Sequence, residues 1–455
     1  MSLILKPFII RKTPLGKKKK VRLLQTLGDT RDRGPLLPFS GKLDWPLTLI
    51  GRLCHTYLLM IPAHKTILFL GDGMADEPLA ELGGRTPLQA ARTPAMDSIA
   101  RNGRSGTLLT LPAGYPTSSD VANMSVLGCD LKTEICGRGP LEAASQGIAM
   151  GPHDVCFRMN LVSVDPSGVL TDFSGGHIDQ ADAEAAIALL NRSLGSSQVR
   201  FHRGVSYRNL LMLSGPEFSA TVHCDKPDDN HGNPVREHLP RPASPQGEVT
   251  ARKLAELMEA AAQLLKGRVA NGIWPWSGGK PGSMRKLTER FGISAAVISA
   301  VDVINGLGRC LGMDVVKVPG ATGYIDTNYE GKADAALEAI RSHDFVFVHV
   351  EAMDEVSHAK DLKLKLQTIE DFDRRLIARV LEKAGPGIAY AVLPDHPVPL
   401  ATGKHTRIPV PVSVSKPGWK PDGTPSFDEI VCPKGNLGAL KGDELMRLLF
   451  GEPKF

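Results

Sequence analysis

Residues 344–396 read DFVFVHVEAMDEVSHAKDLKLKLQTIEDFDRRLIARVLEKAGPGIAYAVLPDH. An apolar, β-branched run (DFVFVHV) stops at acidic residues. A helical period follows around 363–383, and a second apolar run (GIAYAVLP) stops at Asp395-His396. Short apolar runs of this kind read as strands buried on both faces. Strand–helix–strand alternation makes a parallel sheet with helices on both sides. Further out, KTILFLG at 65–71 is a third such run and ends in a Gly-Asp-Gly turn. TPAMDSIARN at 93–102 places Pro just after a Thr cap and predicts a helix, and residues 120–127 predict another. Ligand sites in open parallel sheets lie beyond the carboxyl ends of the strands. The loops at Asp72, Asp354 and Asp395 are therefore the places to search.

The stretch 156–285 has a different texture. Its strand-like runs (FRMNLVSV, VSYRNLLML) are followed by a Pro/His/Asp-rich loop at 222–243, an Ala-rich helix and IWPWSGGKPG. It reads as an inserted α+β domain. The sheet domain is then discontinuous, 64–155 plus 286–455. Residues 1–63 lack a sustained period and read as a basic, disordered extension. Met60 reads as a start from which ordered sequence follows.

Charge agrees with that division. The chain of 455 residues has a formal charge of +5, but residues 1–60 hold twelve Lys/Arg against three acids, which leaves −4 for the rest. The basic balance belongs to the extension and does not indicate a nucleic-acid surface. Aromatics are 5% of residues, too few for a base-stacking platform. Seven cysteines, an odd number without a CxxC pair, fit a reduced, cytoplasmic protein. No apolar run reaches the length of a membrane span. Neither a nucleic-acid nor a membrane partner is expected.

Four places carry chemistry together: Asp72; Ser118-Ser119-Asp120 at a helix start; Asp354 with His358 four residues on; and Asp395-His396 with His405 following. Each alone is ordinary, since a strand-end Asp usually forms a turn, a Ser before a helix usually caps it, and a DxxxH pair can sit on a helix surface. Jointly they supply carboxylates and imidazoles at the ligand edge of a parallel sheet, a mixture that suits Mn²⁺, Zn²⁺ or Mg²⁺. Asp72, Ser119, Asp354, His358, Asp395, His396 and His405 are enough for two neighbouring cations, the arrangement that clamps both oxygens in phosphoryl transfer. A serine hydroxyl needs a base or a cation to become a nucleophile. Ser119, with a helix N-terminus behind it to favour phosphate, is the best candidate. Ser118 is its local rival and is expected to cap the helix.

The strings FLGDGMAD, PTSSDVANMSVLGCD, GRGPLEAAS, HVEAMDEVSHAKD, LPDHPVP and KHTRIPVP resemble the archaeal type of 2,3-bisphosphoglycerate-independent phosphoglycerate mutase, within the alkaline phosphatase superfamily. FRMNLVSV, GVSYRNLLML, VISAVDVINGLG and VPGATGYIDTNYEGKAD match in the same order, so the resemblance runs from about Lys65 to near the C-terminus. It implies an alkaline-phosphatase-like sheet with an inserted domain that closes over substrate. It implies two divalent cations, Mn²⁺ foremost with Mg²⁺, Co²⁺ or Zn²⁺ as alternatives, and no 2,3-bisphosphoglycerate. Asp72, Ser119, Asp395 and His396 would hold one cation, and Asp354, His358 and His405 the other. Ser119 would be phosphorylated while 3-phosphoglycerate and 2-phosphoglycerate interconvert.

Departures fall outside these seven residues. Val398 stands where the family has Thr, Ile408 where it has Asp, SHAKD replaces a GHEGD-like string, and His223-Cys224-Asp225 replaces PHD. A phosphorylated small molecule needs cations to hold it. Arg158, Arg208 and Lys280 are candidates, with Asp120 and His177 placed to handle hydroxyl protons. Arg138 reads as structural, and Trp274 and Trp276 as core. The nearest rival is a homoserine kinase-like phosphotransferase of the same family, which ATP dependence would separate. Phosphatase or phosphopentomutase chemistry comes third, and a non-catalytic binding protein on the same scaffold is the reading from another class. No GxxxxGK[ST] loop supports a nucleotide site.

Overall fold

The apolar runs become strands whose alternate residues face opposite ways, so each strand must be covered twice. The computed structural model describes residues 65–453, residue 283 excepted, and the extension read at 1–63 lies outside them. In chain order the strands of the larger sheet are β1 (Lys65–Gly71), β2 (Arg104–Leu109), then, after the intervening second sheet, Ala295–Ile298, Asp314–Val315, Phe345–Val350, Ile388–Pro394, Val410–Ser415 and Gly438–Lys441. The second sheet supplies β3 (Asp154–Val164), β4 (Leu170–Asp172), β5 (Val199–Val205), β6 (Arg208–Ser214) and, past the short pair β7 (Val222–His223) and β8 (Arg241–Pro242), β9 (Gly272–Gly279). The remaining six are thus β10 to β15.

The larger sheet has eight strands in the order β11-β10-β12-β1-β13-β14-β2-β15. Strands β11, β10, β12, β1 and β13 run parallel, so the α/β reading with a mostly parallel, helix-flanked sheet holds. The edge departs from it. β14 lies antiparallel to both β13 and β2, and β15 is parallel to β2. Leu68 and Leu70 face one apolar cluster and Ile67 and Phe69 another, each packed by helices.

One local expectation holds with a variation and one is corrected. The helix read around 363–383 runs without a gap from Leu362–Asp371 through Ala378–Lys383, but Phe372–Ile377 between these α-helical parts is a π-turn. Thr93 stands at the cap position of helix Pro94–Arg101, yet its hydroxyl makes no cap bond. Asp373, inside the π-turn, takes the N–H groups of Ala95 at 3.2 Å and Met96 at 2.7 Å instead. A widened turn lets this side chain reach a neighbouring helix end.

β3, β4, β5, β6 and β9 form an antiparallel five-stranded sheet. Helices Gln180–Leu194 and Glu248–Leu264 bury its apolar face. Trp274 and Trp276 are buried, as expected of core residues. No helix among the described residues is long and apolar enough to cross a membrane.

Candidate metal centre

Register builds the centre. Gly71 at the end of β1 pairs with Val350 of β12 on one side and Pro394 of β13 on the other. The next residue on each strand is therefore Asp72, Glu351 and Asp395, three carboxylates abreast at the carboxyl edge. Gly73 follows in the left-handed region at φ 62°, and a Cβ there would stand 2.6 Å from the Asp354 Cα. Glycine lets the loop after β1 close onto helix Ala352–His358, and its N–H donates to Asp395 Oδ1 at 3.1 Å. Beneath the loops, fully buried Lys365 donates to Asp76 Oδ2 at 2.8 Å and to the Val398 carbonyl at 3.0 Å. It thereby ties the loop after β1 to the loop after β13.

Ser119 opens helix Ser119–Val126. Its Oγ, Asp72 Oδ1 and Asp395 Oδ2 each lie 3.3 Å from His396 Nε2. One helical turn on, Asn123 Nδ2 donates to Asp395 Oδ2 at 3.0 Å and to the Ser119 carbonyl at 2.8 Å. The second group surrounds Asp354. His358 Nε2 is 3.3 Å from Asp354 Oδ2, and His405 Nε2 is 3.4 Å from Asp354 Oδ1. The two Nε2 atoms face each other at 2.9 Å. His358 Nδ1 donates to the Gly403 carbonyl at 2.8 Å, which fixes the ring with Nε2 turned toward Asp354 and His405. Two residues past His405, the Arg407 guanidinium donates to the Pro112 carbonyl at 2.7 Å and to that of Tyr115, just ahead of the serines.

The donor set fits cations. Asp72 Oδ1 and Asp354 Oδ1 are buried without hydrogen-bond partners. One atom each from Asp354, His358 and His405, and likewise from Asp72, Asp354 and His396, lies within 4.8 Å of the others. Burial, followed by the charges of Asp395, Glu351 and Asp354, raises Asp72 well above the usual carboxylate range. Burial raises Asp395 in the same way and pushes Glu351 up to about 7. For Asp354 burial acts upward too, but the adjacent imidazoles of His358 and His405 win and lower it. Burial pushes His396 down to about 3, so it stays neutral and able to bind a cation, whereas the Asp354 hydrogen bond lifts half-exposed His358 to about 9. Crowded buried carboxylates without enough protein countercharge are costly, and divalent cations would offset that cost.

The other predicted residues stand apart. Asp120 is buried on the Ser119 helix, near enough for its charge to act on the Cys136 thiol. Arg158 is buried on β3, with Nη1 3.0 Å from Glu142 and the guanidinium over Trp276. Arg138 shares that ring and lies 3.8 Å from Glu142. Arg208 is exposed at the start of β6, over Tyr207, and its charge acts on Glu355 beside Asp354. His177 is exposed in a Gly-Gly turn at φ 52°, and Lys280 is exposed after β9. Among the described residues, no hydrogen bond or ion pair joins Arg158, His177, Arg208 or Lys280 to the seven. Ser118 occupies the cap position of its helix but makes no cap bond, and its Oγ is buried without a partner, so the capping expectation is corrected. Sequence reasoning missed Asn123, His349 and Glu351. A histidine inside the apolar run FVFVHV was the signal for the second of these.

The Metalloenzyme superfamily matches residues 64–452. A 2,3-bisphosphoglycerate-independent phosphoglycerate mutase from Methanosarcina acetivorans is 44% identical over 401 residues, 85% of this chain and 99% of that protein. The chain belongs to that mutase family. A probable enzyme of the same name from Geobacter sulfurreducens is 45% identical, again over 85% of this chain and 99% of the relative. Among solved structures, the cofactor-independent phosphoglycerate mutase from Thermoplasma acidophilum is 30% identical with TM-score 0.60, covering 85% of this chain and 100% of that one. A Pyrococcus horikoshii protein superposes with TM-score 0.73 at 27% identity, covering 86% and 99%.

Proposed function

We propose that this chain interconverts 3-phosphoglycerate and 2-phosphoglycerate through a phosphoserine at Ser119, without 2,3-bisphosphoglycerate, in glycolysis and gluconeogenesis. The observation that carries the reading is the meeting of Ser119 Oγ, Asp72 Oδ1 and Asp395 Oδ2 around His396 Nε2 at 3.3 Å. Asp72, Ser119, Asp395 and His396 would hold one divalent cation and Asp354, His358 and His405 a second, with Mn²⁺ first and Mg²⁺, Co²⁺ or Zn²⁺ as alternatives. Such cations lower the pKa of a bound hydroxyl and offset charge on phosphoryl oxygens.

Ser119 Oγ attacks phosphorus, the bond from phosphorus to the C3 oxygen breaks, and that oxygen takes up the proton the serine gives up. The glycerate turns in place. Its 2-hydroxyl then attacks phosphorus, the bond from phosphorus to Ser119 Oγ breaks, and the proton of the 2-hydroxyl goes to Ser119 Oγ. The helix N-terminus at Ser119 favours the phosphoryl charge. Substrate contacts would come from Arg208, Lys280 and His177 of the second sheet, from Arg158 once it leaves Glu142, and from Asp120. That sheet would close as an inserted domain, because water reaching the phosphoserine would hydrolyse it. Work in the cytoplasm accords with six described cysteines, all free.

The test is purified protein with Mn²⁺ and 3-phosphoglycerate, without ATP or 2,3-bisphosphoglycerate. Formation of 2-phosphoglycerate is expected, and so is its loss on chelation. No product, or strict dependence on ATP with homoserine as acceptor, would overturn the reading.

A further inference from the structure

The two oxygens of Asp72 meet different surroundings. Oδ1 is unpartnered and faces His396, whereas Oδ2 lies 2.9 Å from Nε2 of His349. His349 is fully buried near the end of β12, register-paired with Leu70. Its Nδ1 is 3.1 Å from Ser299 Oγ. That oxygen already accepts the Val301 N–H at 3.0 Å, so its own proton is available for Nδ1. Nδ1 is then the acceptor, and the ring proton sits on Nε2, where it is donated to Asp72. Both partners are anchored from behind: Lys332 Nζ donates to the His349 carbonyl at 2.9 Å and Asn305 Nδ2 to the Ser299 carbonyl at 3.2 Å.

We infer that His349, oriented by Ser299, is a positioning residue that occupies Asp72 Oδ2 and thereby aims Oδ1 at the cation shared with Ser119, Asp395 and His396. The inference rests on the two-cation reading above. The same atoms offer a rival arrangement, since Asp72, His349 and Glu351 also bring one ligand atom each within 4.8 Å. A cation there would need the Nε2 lone pair, hence a proton on Nδ1. Ser299 Oγ would then have to accept from both Nδ1 and Val301. The buried Lys332 ammonium, within electrostatic reach of Glu351, already brings positive charge to that group. The geometry favours the donor role.

The test is calorimetric titration of the chelated full-length protein with Mn²⁺, with bound metal counted by mass spectrometry. Wild type should bind two ions per chain. His349→Ala should weaken one of them by about 10–100-fold and leave the other at wild-type affinity. His349→Gln, which can offer an N–H to the same oxygen, should recover most of the loss, and Ser299→Ala should weaken the same ion by a smaller factor. Should His349→Ala not fold, the Gln and Ser299 variants carry the test, and unchanged affinity in Ser299→Ala overturns the relay. Wild-type affinity for both ions in His349→Ala overturns the inference alone. A third wild-type ion that disappears in His349→Ala makes His349 a ligand and overturns it as well. A wild type that binds no ion at the Ser119 group overturns the two-cation reading and this inference with it.

Discussion

Ser119 Oγ lies 3.3 Å from His396 Nε2, while the neighbouring Ser118 Oγ is buried, unpartnered and caps nothing. The phosphoserine route therefore separates them sharply. Ser119→Ala should abolish mutase turnover with the fold intact by circular dichroism, and mass spectrometry of quenched wild-type enzyme should find phosphate on Ser119. Ser118→Ala forfeits no cap bond, so its unfolding free energy should stay within about 0.5 kcal/mol of wild type, below the usual cost of losing a cap. Phosphate on Ser118, or an active Ser119→Ala, would reverse the assignment. At this scale the sequence shows its acids and imidazoles at strand ends, where position alone marks them. It hides Glu351, which becomes visible only once register sets it beside Asp72, and Asn123, whose reach to Asp395 depends on where a distant strand ends. His349 is hidden differently, because a histidine in a strand announces burial but not its partner.

Elements show the same split. The parallel strands are legible because burial on both faces writes unbroken apolar runs. β14 and β15 lie toward the sheet edge with mixed composition, and pairing direction is not a property of either segment alone. The π-turn at Phe372–Ile377 leaves no periodic trace, yet it presents Asp373 to helix Pro94–Arg101. Burial raises the Asp373 carboxyl from the usual 3.8 to about 6, against the two N–H bonds that lower it. The folded protein thus holds this proton more tightly than the unfolded chain, and stability is lost as pH rises from about 4 through about 6. Asp373→Asn cannot titrate. Across that window the wild type should lose up to ~3 kcal/mol relative to the variant, as read by urea denaturation at several pH values. A difference that does not change with pH would rule out this proton as the cause.

At the scale of the molecule, the family match begins at residue 64, and the Methanosarcina relative is covered over 99% of its length by 85% of this chain. A chain begun at Met60 should accordingly keep wild-type turnover and melting temperature, checked by assay and calorimetry side by side. A soluble truncation without activity would give the basic segment a role that its composition does not announce. The second sheet draws its strands from Asp154 to Gly279, a stretch whose shorter runs and Pro/His/Asp-rich loop set it apart in the sequence, although its pairing directions are not written there. The placing of β1 between β12 and β13 has a consequence for synthesis. Asp72 precedes His349 by 277 residues, and Gly73 precedes Asp395 by 322. At ordinary rates of translation, β1 leaves the ribosome on the order of tens of seconds before either neighbour exists. The second sheet, made from one continuous stretch, can pair in that interval, whereas β1 stays an apolar strand with both edges open and a claim on chaperones. Ser119 is made early, but His396 beside it arrives only with the last quarter of the chain, so on the proposed phosphoserine route a nascent or prematurely terminated product should not transfer phosphate.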